Sequence, residues 1–189
     1  MIDERDPLTL TSDKSMECYR NWWPGPHDHM VRFMNRSIDL MEELARETDN
    51  LIRLNRRGYL FMTSEKDRID KIRDNAAEIS CLGAGPLRIH EDISKTSDYA
   101  PSPAWGFENQ DSGADLLLDK QIIAKHYPYI SREVAAALHV RRGGWFSAQQ
   151  MGMYMLEQIL DHGVRILKSK VTGIVLKSGR VDSVHHQSI

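Results

Sequence analysis

The reactive side chains of this sequence do not form a recognisable catalytic set by their spacing alone. His27 and His29 lie two residues apart, but no cluster of cysteines or carboxylates completes the ligand set that a zinc ion requires. Cys18 carries a thiol. Such a cysteine is more often a small, partly buried structural residue than a reactive one. No obvious pair of a general acid and a general base is present. We therefore expect no metal ion and assign no catalytic residue.

Composition and charge argue against two classes of partner. The 189 residues include 25 Lys and Arg and 27 Asp and Glu, and the net charge of -2 provides no general attraction to nucleic acid. The basic pairs Arg56-Arg57 and Arg141-Arg142 are too small for a nucleic-acid patch, because such a patch must neutralise several phosphates. No apolar run approaches the ~18 residues that cross a membrane.

The N-terminus and the cysteine count predict the cellular setting. Residues 1–6 are acidic and contain no apolar region typical of a secretory signal. Two cysteines are too few for a disulfide framework. These features predict a cytoplasmic protein, with the mitochondrial matrix as the alternative if the source is a eukaryote.

Two helices and a strand are predicted in the first half of the chain. Pro26 is typical of a first helical turn, and the helix is expected to run to Thr48. The aromatic run Tyr59–Thr63 predicts a buried strand, and Ser64 caps a second helix that ends at Gly83. The first helix carries on one face the apolar residues expected in the core: Met30, Phe33, Met34, Ile38, Met41, Leu44 and Ala45.

The second half opens with the least regular part of the chain, residues 91–118, which we expect to form surface loops and turns. Gly143-Gly144-Trp145 predicts a turn between two domains, and Ser147 caps the helix behind it. The other elements predicted here are a short helix over 119–126, a strand over 134–140, a strand over 164–167 and a hairpin over 171–184.

Three tryptophans have alternative roles. Trp22 and Trp23 stand in a proline-rich turn, where a packing role is favoured over contact with a substrate. Trp145 is interpreted as an anchor at the domain junction, and a position over a bound ring system is the alternative.

Three stretches of sequence, taken in order, carry a family resemblance. The first is Glu4-Arg5-Asp6-Pro7 with a Ser/Thr loop and Cys18-Tyr19-Arg20, and the second is the segment from Arg56 to Thr63. The third joins Gly143-Gly144-Trp145-Phe146 to the segment from Gly163 to Val181. Together they resemble the D-amino-acid oxidase-like family of FAD-dependent oxidoreductases, which includes sarcosine oxidase, glycine oxidase and dimethylglycine dehydrogenase.

The resemblance implies a mixed α/β fold. It is similar to part of a glutathione-reductase-type FAD-binding Rossmann fold interleaved with a substrate domain. Residues 1–55 would be the remnant of the FAD-binding domain, and residues 56–142 would belong to the substrate domain, with the irregular insertion 91–118. Residues 143–189 would return to the FAD-binding domain.

The same resemblance implies the site residues. Glu4 matches the acidic residue that binds the FAD ribose, Arg5 the basic residue beside it, and Val171 the strand residue whose backbone approaches the adenine. The loop from Ser12 through Ser15 to Arg20 matches the segment that passes the flavin ring. In this family an arginine at the position of Arg20 neutralises the flavin or holds a substrate carboxylate.

One departure from the family pattern is large. The G-x-G-x-x-G motif that cradles the FAD pyrophosphate is absent, and Gly83-Ala84-Gly85-Pro86 follows a helix rather than preceding one. We therefore expect the central piece of a longer enzyme, whose remaining segments or an oligomer would complete the site.

The resemblance predicts that the intact enzyme oxidises a C–N bond of a small amine or (N-methyl) amino acid, by hydride transfer to flavin. The alternative is a truncated, non-catalytic fragment or an accessory subunit that cannot bind FAD alone.

Overall fold

The computed structural model describes residues 1–94 and 99–188, apart from the side chains of Ser12 and Asp13. The chain divides into two compact units: unit 1 is Met1–Glu17 with Ser147–Ile189, and unit 2 is Cys18–Phe146. The domains predicted from the sequence are the FAD-binding domain and the substrate domain, which are defined by the ligands they would bind. Their boundaries after residues 55 and 142 stay a prediction.

Nine strands and five α-helices are present within the described residues. In chain order they are β1 (Ile2–Asp3), α1 (Thr11–Lys14), β2 (Cys18–Arg20), α2 (His29–Glu47), β3 (Tyr59–Thr63), α3 (Ile69–Ile79), β4 (Leu87–His90), β5 (Ala114–Leu117), α4 (Lys120–His126), β6 (Ala136–Val140), β7 (Gly143–Trp145), α5 (Ala148–Asp161), β8 (Leu167–Lys177) and β9 (Arg180–Ser188).

Unit 2 is built on a mixed sheet with strand order β3-β6-β5-β4. Strands β4 and β5 are parallel, whereas β6 is antiparallel to both β5 and β3. Because successive side chains of a strand point to opposite faces, β5 and β6 contribute side chains to two apolar clusters, one on each face of the sheet. One cluster joins the sheet to α3: Trp22, Val31, Ala76, Ile79, Ala84, Ala114, Leu116, Leu138 and Val140. The other joins it to α4: Tyr99, Leu117, Ile122, Ile123, Tyr127 and Ala137.

The glycines before Trp145 allow β7 to approach another segment of unit 2 closely. Strand β7 pairs with β2, and the carbonyl of Trp145 accepts hydrogen bonds from the backbone N–H (3.2 Å) and the side-chain amide (2.9 Å) of Asn55. A Cβ on Gly144 would collide with the carbonyl oxygen of Asn55. Only glycine fits there without moving the backbone.

Unit 1 contains a three-stranded sheet with order β1-β8-β9. Strand β1 is parallel to β8, and β8 with β9 forms the predicted antiparallel hairpin. The side chain of Ser147 accepts a hydrogen bond from the N–H of Gln150, so the predicted cap of α5 is confirmed. No helix of the described chain combines the length and the apolar composition that crossing a membrane requires.

Several predicted details are wrong. Gly143–Trp145, predicted as a turn, forms strand β7, and residues 164–166 of the strand predicted over 164–167 are not in a strand. Residues 114–117, predicted as loop, form the buried central strand β5. The loop expected after β1 contains helix α1. Strand β3 is present as predicted but is not buried throughout, because Phe61 and Met62 are 36% and 48% exposed. Within the described residues β3 pairs with β6 alone, which leaves its outer edge open.

The long helix α2 also differs from its prediction. It begins at His29, later than expected, and ends at Glu47, close to the expected end. Ile38 and Ala45 are buried as predicted, but Phe33 is 65% exposed. The buried face includes the charged Glu42, which a search for apolar periodicity does not find.

Candidate functional site

Three of the predicted FAD residues lie together in unit 1. Glu4, Arg5 and Val171 line one open groove of about 250 Å³ where β1 ends beside β8. The last residue pair between these parallel strands is Asp3 with Lys168. Beyond Lys168, β1 no longer occupies that side of β8, so the backbone of β8 toward Val171 is open to a ligand.

The charged groups of this groove are exposed and differ in their bonding. The backbone N–H of Arg5 donates to Oδ1 of Asp3 at 2.8 Å, and Nε of Arg5 lies 3.8 Å from the same oxygen. In the described part of the chain, the Glu4 carboxylate has neither a hydrogen bond nor an ion pair. Its two oxygens are therefore available as acceptors for hydroxyl groups.

Of the two predicted serines, only Ser15 has a side chain within the described part of the structure. Ser15 is exposed just after α1, and its Oγ accepts a hydrogen bond from the N–H of Glu17 at 3.1 Å. It does not line the groove. The backbone of Ser12 lies in α1, whereas its side chain is outside the described part of the structure.

Arg20 belongs to unit 2, where it ends strand β2. Its guanidinium carbon lies 4.1 Å from the ring centroid of Trp23, 5.0 Å from that of Tyr59 and 5.5 Å from that of Phe61. Tyr59 and Phe61 are two residues apart on β3, so they share a face of the sheet. The indole N–H of Trp23 donates to the carbonyl of Arg20 at 3.0 Å, which keeps this ring beside the arginine.

The bonding of Arg20 is incomplete. Its Nε is buried and has no hydrogen-bond partner. Aromatic faces attract a guanidinium through its charge but leave its N–H groups unsatisfied. A buried donor without a partner is unusual, and a ligand that accepts this N–H would complete it.

A pocket of about 350 Å³ adjoins Arg20 within unit 2. Its wall on α3 was not predicted from the sequence, although the wall residues stand at positions i, i+3, i+4 and i+7 of one helix face. Its lining consists of Arg20, Trp22, Trp23, Pro24, Phe61, Ile72, Asn75, Ala76, Ile79 and Leu138.

A second polar cluster of unit 2 is buried and centred on Asp115, both of whose carboxylate oxygens are hydrogen-bonded. Asp115 accepts hydrogen bonds from Arg88 at 2.7 and 2.9 Å and from Arg141, and His90 Nε2 lies 2.8 Å from it. Burial alone raises the pKa of the Asp115 carboxyl, but the bonds from Arg88, His90 and Arg141 outweigh burial and hold the pKa below its ordinary value. This cluster ties β4, β5 and the end of β6 together.

Two tyrosines and a histidine extend the buried polar region. The hydroxyls of Tyr99 and Tyr127 lie 2.5 Å apart, and that of Tyr99 lies 3.0 Å from Nδ1 of His139. Burial, assisted by the charge of Arg141, lowers the pKa of His139 to about 4. Burial and the bond to Tyr127 raise the pKa of Tyr99. These groups are therefore uncharged near neutral pH and act in packing.

No group of histidines, cysteines and carboxylates suited to a metal ion is found among the described residues.

Comparison with known proteins defines the family. The profile of the family described as FAD dependent oxidoreductase matches residues 1–188. The chain therefore belongs to this family, whose cofactor is FAD. No protein of curated function matches the chain.

Solved structures show the same fold. L-proline dehydrogenase from P. horikoshii superposes with a TM-score of 0.68 at 14% identity, covering 94% of this chain and 39% of its own. Glycine oxidase from Bacillus cereus ATCC 14579 gives 0.67 at 13% identity, covering 97% and 44%. Iminodiacetate oxidase from Chelativorans sp. BNC1 gives 0.65 at 16% identity, covering 100% and 46%. The chain thus spans less than half the length of these neighbours.

Proposed function

We propose that this chain serves an FAD-dependent oxidation of a C–N bond in a small amine or (N-methyl) amino acid. Bound FAD would supply the acceptor for the hydride equivalent released from the carbon next to nitrogen. The residues of the chain would bind and orient the two reactants. Family membership and the neighbours named for proline, glycine and iminodiacetate support this choice.

The cofactor side of the proposal rests on unit 1. The free carboxylate of Glu4 fits the hydroxyls of a ribose, and Arg5 adds a cation on the same groove. The open backbone of β8 at Val171 fits the edge of an adenine, which carries both donors and acceptors. Ser12 and Ser15 are proposed to contact the flavin from the following loop, since the hydroxyl of Ser15 retains its proton for donation.

The substrate side of the proposal rests on one observation, the environment of the Arg20 guanidinium. Its guanidinium is held by three aromatic rings, and its buried Nε has no partner. A substrate carboxylate would satisfy this donor and pair with the fixed positive charge. Because the rings restrict the arginine before the ligand arrives, less side-chain entropy is lost on binding.

A second candidate is an accessory role, in which the chain does not bind FAD alone. The absence of G-x-G-x-x-G from the sequence favours it, because that motif supplies the backbone donors for the pyrophosphate.

The test is titration of the purified chain with FAD, followed by the visible absorbance of bound flavin. Glu4→Gln should weaken FAD binding about 10- to 100-fold, the value of a hydrogen bond to a charged group. Asp182→Asn is the matched control, since it removes the same charge from an exposed residue of β9 outside the groove. Stoichiometric flavin that an amino acid or N-methyl amino acid reduces without oxygen would support catalysis. A colourless protein at saturating FAD would support the accessory role instead.

A further inference from the structure

The pocket beside Arg20 bears on the size and polarity of the substrate. Most of the residues that line it are apolar or aromatic, and the polar ones are Arg20 and Asn75. Small-molecule sites commonly combine such an apolar lining with a few polar groups that fix orientation. A substrate as small as glycine would contact Arg20 through its carboxylate and leave the apolar wall in contact with water.

The pocket has room for an apolar group of ring size. A closed cavity of roughly 150 Å³ lined by aliphatic and aromatic side chains takes up benzene. The pocket beside Arg20 is larger, at about 350 Å³, and is open at one side. Its far wall consists of Ile72, Ala76 and Ile79 on α3, facing Leu138 of β6.

A second unsatisfied donor lies in the same lining. Trp22 is 3% exposed, and its indole N–H has no hydrogen-bond partner. Arg20 and Trp22 therefore each carry a buried N–H without an acceptor, and both residues line this pocket. A ligand carboxylate has two oxygens, which can accept hydrogen bonds from both N–H groups.

We propose that this pocket binds a carboxylate that carries an apolar body of about ring size. Arg20 and Trp22 hold the carboxylate, and the apolar body packs on the wall formed by α3 and β6. The inference rests on the proposed function, in which Arg20 holds the substrate carboxylate. It narrows the substrate class to hydrophobic amino acids or hydrophobic N-substituted amino acids, rather than glycine-sized ones.

The test measures carboxylate binding to the full chain without flavin, so that it does not depend on catalysis. The probes are acetate, phenylacetate and the uncharged benzyl alcohol, titrated by calorimetry and by the NMR signals of the indole N–H groups. Phenylacetate should bind about 10- to 100-fold more tightly than acetate, as expected for burial of one aromatic group. Its binding should shift the indole signal of Trp22, while that of Trp105, which is 72% exposed and outside the pocket, stays in place.

Two variants test separately the contribution of the carboxylate contact and that of the apolar contact to binding. Arg20→Gln should weaken acetate and phenylacetate alike, by at least about 10-fold. Asn75→Phe adds bulk at the exposed rim of the pocket and should weaken phenylacetate but not acetate. Asp74→Phe is the matched control, because Asp74 is the exposed neighbour on α3 that does not line the pocket.

The possible failures are distinguishable. Equal affinities for acetate and phenylacetate in the unmodified chain would overturn the inference and leave the role of Arg20 in the proposed function intact. Equal affinities for phenylacetate and benzyl alcohol would overturn the shared carboxylate site. Absence of binding by both carboxylates would overturn the role of Arg20, and the inference with it, while FAD binding by unit 1 would still be decided by flavin absorbance.

Discussion

The two units of this chain differ sharply in how they bury apolar side chains. Every apolar side chain that is buried among the described residues belongs to unit 2, whereas the buried residue of unit 1 is Ser169. Strands β8 and β9 instead expose a row of aliphatic residues: Leu167, Val171, Ile174, Leu176 and Val181. Unit 2 is therefore stabilised by its own core, and unit 1 chiefly by strand pairing and surface contacts.

This difference assigns different properties to the two proposed sites. Arg20 lies on the unit with the packed core, where neighbouring rings fix its position. Glu4 and Arg5 follow a two-residue strand on the unit without such a core. A ligand that binds the folded form stabilises it by mass action. We therefore expect FAD to stabilise unit 1 and a carboxylate to stabilise unit 2.

The largest predicted effect is the loss of a buried carboxylate from unit 2. Asp115→Ala would leave Arg88 and the 6% exposed Arg141 without their partner, at a cost of about 3–5 kcal/mol in the free energy of unfolding. Urea denaturation followed by tryptophan fluorescence measures it, because all four tryptophans lie in unit 2.

The control for this prediction is an exposed ion pair in the same unit. Glu91 lies 3.0 Å from Arg73, and the two side chains are 64% and 39% exposed. Glu91→Ala should cost about 0–1 kcal/mol. Equal losses for Asp115→Ala and Glu91→Ala would contradict the claim that unit 2 is held by its interior.

The second prediction concerns acid sensitivity of the core of unit 2. The pKa of His139 is lowered by burial from its ordinary 6.5 to about 4. Between these values the unfolded state binds more protons than the folded state, so stability falls as pH falls from 6.5 to 4. The total loss is about 3 kcal/mol. His139→Gln should remove most of this slope in urea denaturation between pH 4 and 6.5, and an unchanged slope would rule out this residue as the cause.

The third prediction makes the same substitution in both units. A Cβ on Gly144 would collide with backbone of Asn55 in unit 2, whereas a Cβ on Gly152 would meet the mobile end of the Leu8 side chain in unit 1. Gly144→Ala should destabilise unit 2 by about 1–3 kcal/mol, as overpacking does. Gly152→Ala should change the stability of unit 1 by less than about 1 kcal/mol, because higher helix propensity offsets the displaced leucine. Thermal unfolding followed by circular dichroism compares the two, and a larger loss at Gly152 would contradict this distinction.

Sequence patterns predict the elements whose signals are local. The cap at Ser147 and the hairpin of β8 and β9 follow from short motifs, and both are confirmed. Strand β5 was not predictable in this way, because Asp115 interrupts its apolar run. The charge is tolerated there because Arg88, His90 and Arg141 reach it from distant positions in the chain.

The candidate site divides in the same way. The family resemblance singles out Glu4, Arg5 and Val171, and the structure brings these three to one groove, although their contact with FAD stays a prediction. The aromatic rings around Arg20 come from β2, the following turn and β3. Their assembly depends on tertiary packing, which the sequence does not display.

Hydrogen exchange of the chain with and without FAD compares both units in one measurement and decides whether the cofactor groove belongs to unit 1. FAD should slow amide exchange in β1 and β8 of unit 1 and leave exchange in the buried strands β5 and β6 of unit 2 unchanged. Glu4→Gln should abolish this protection, and Asp182→Asn should retain it. Protection confined to unit 2, or none in β1 and β8 at saturating FAD, would contradict the assignment of the cofactor groove to unit 1.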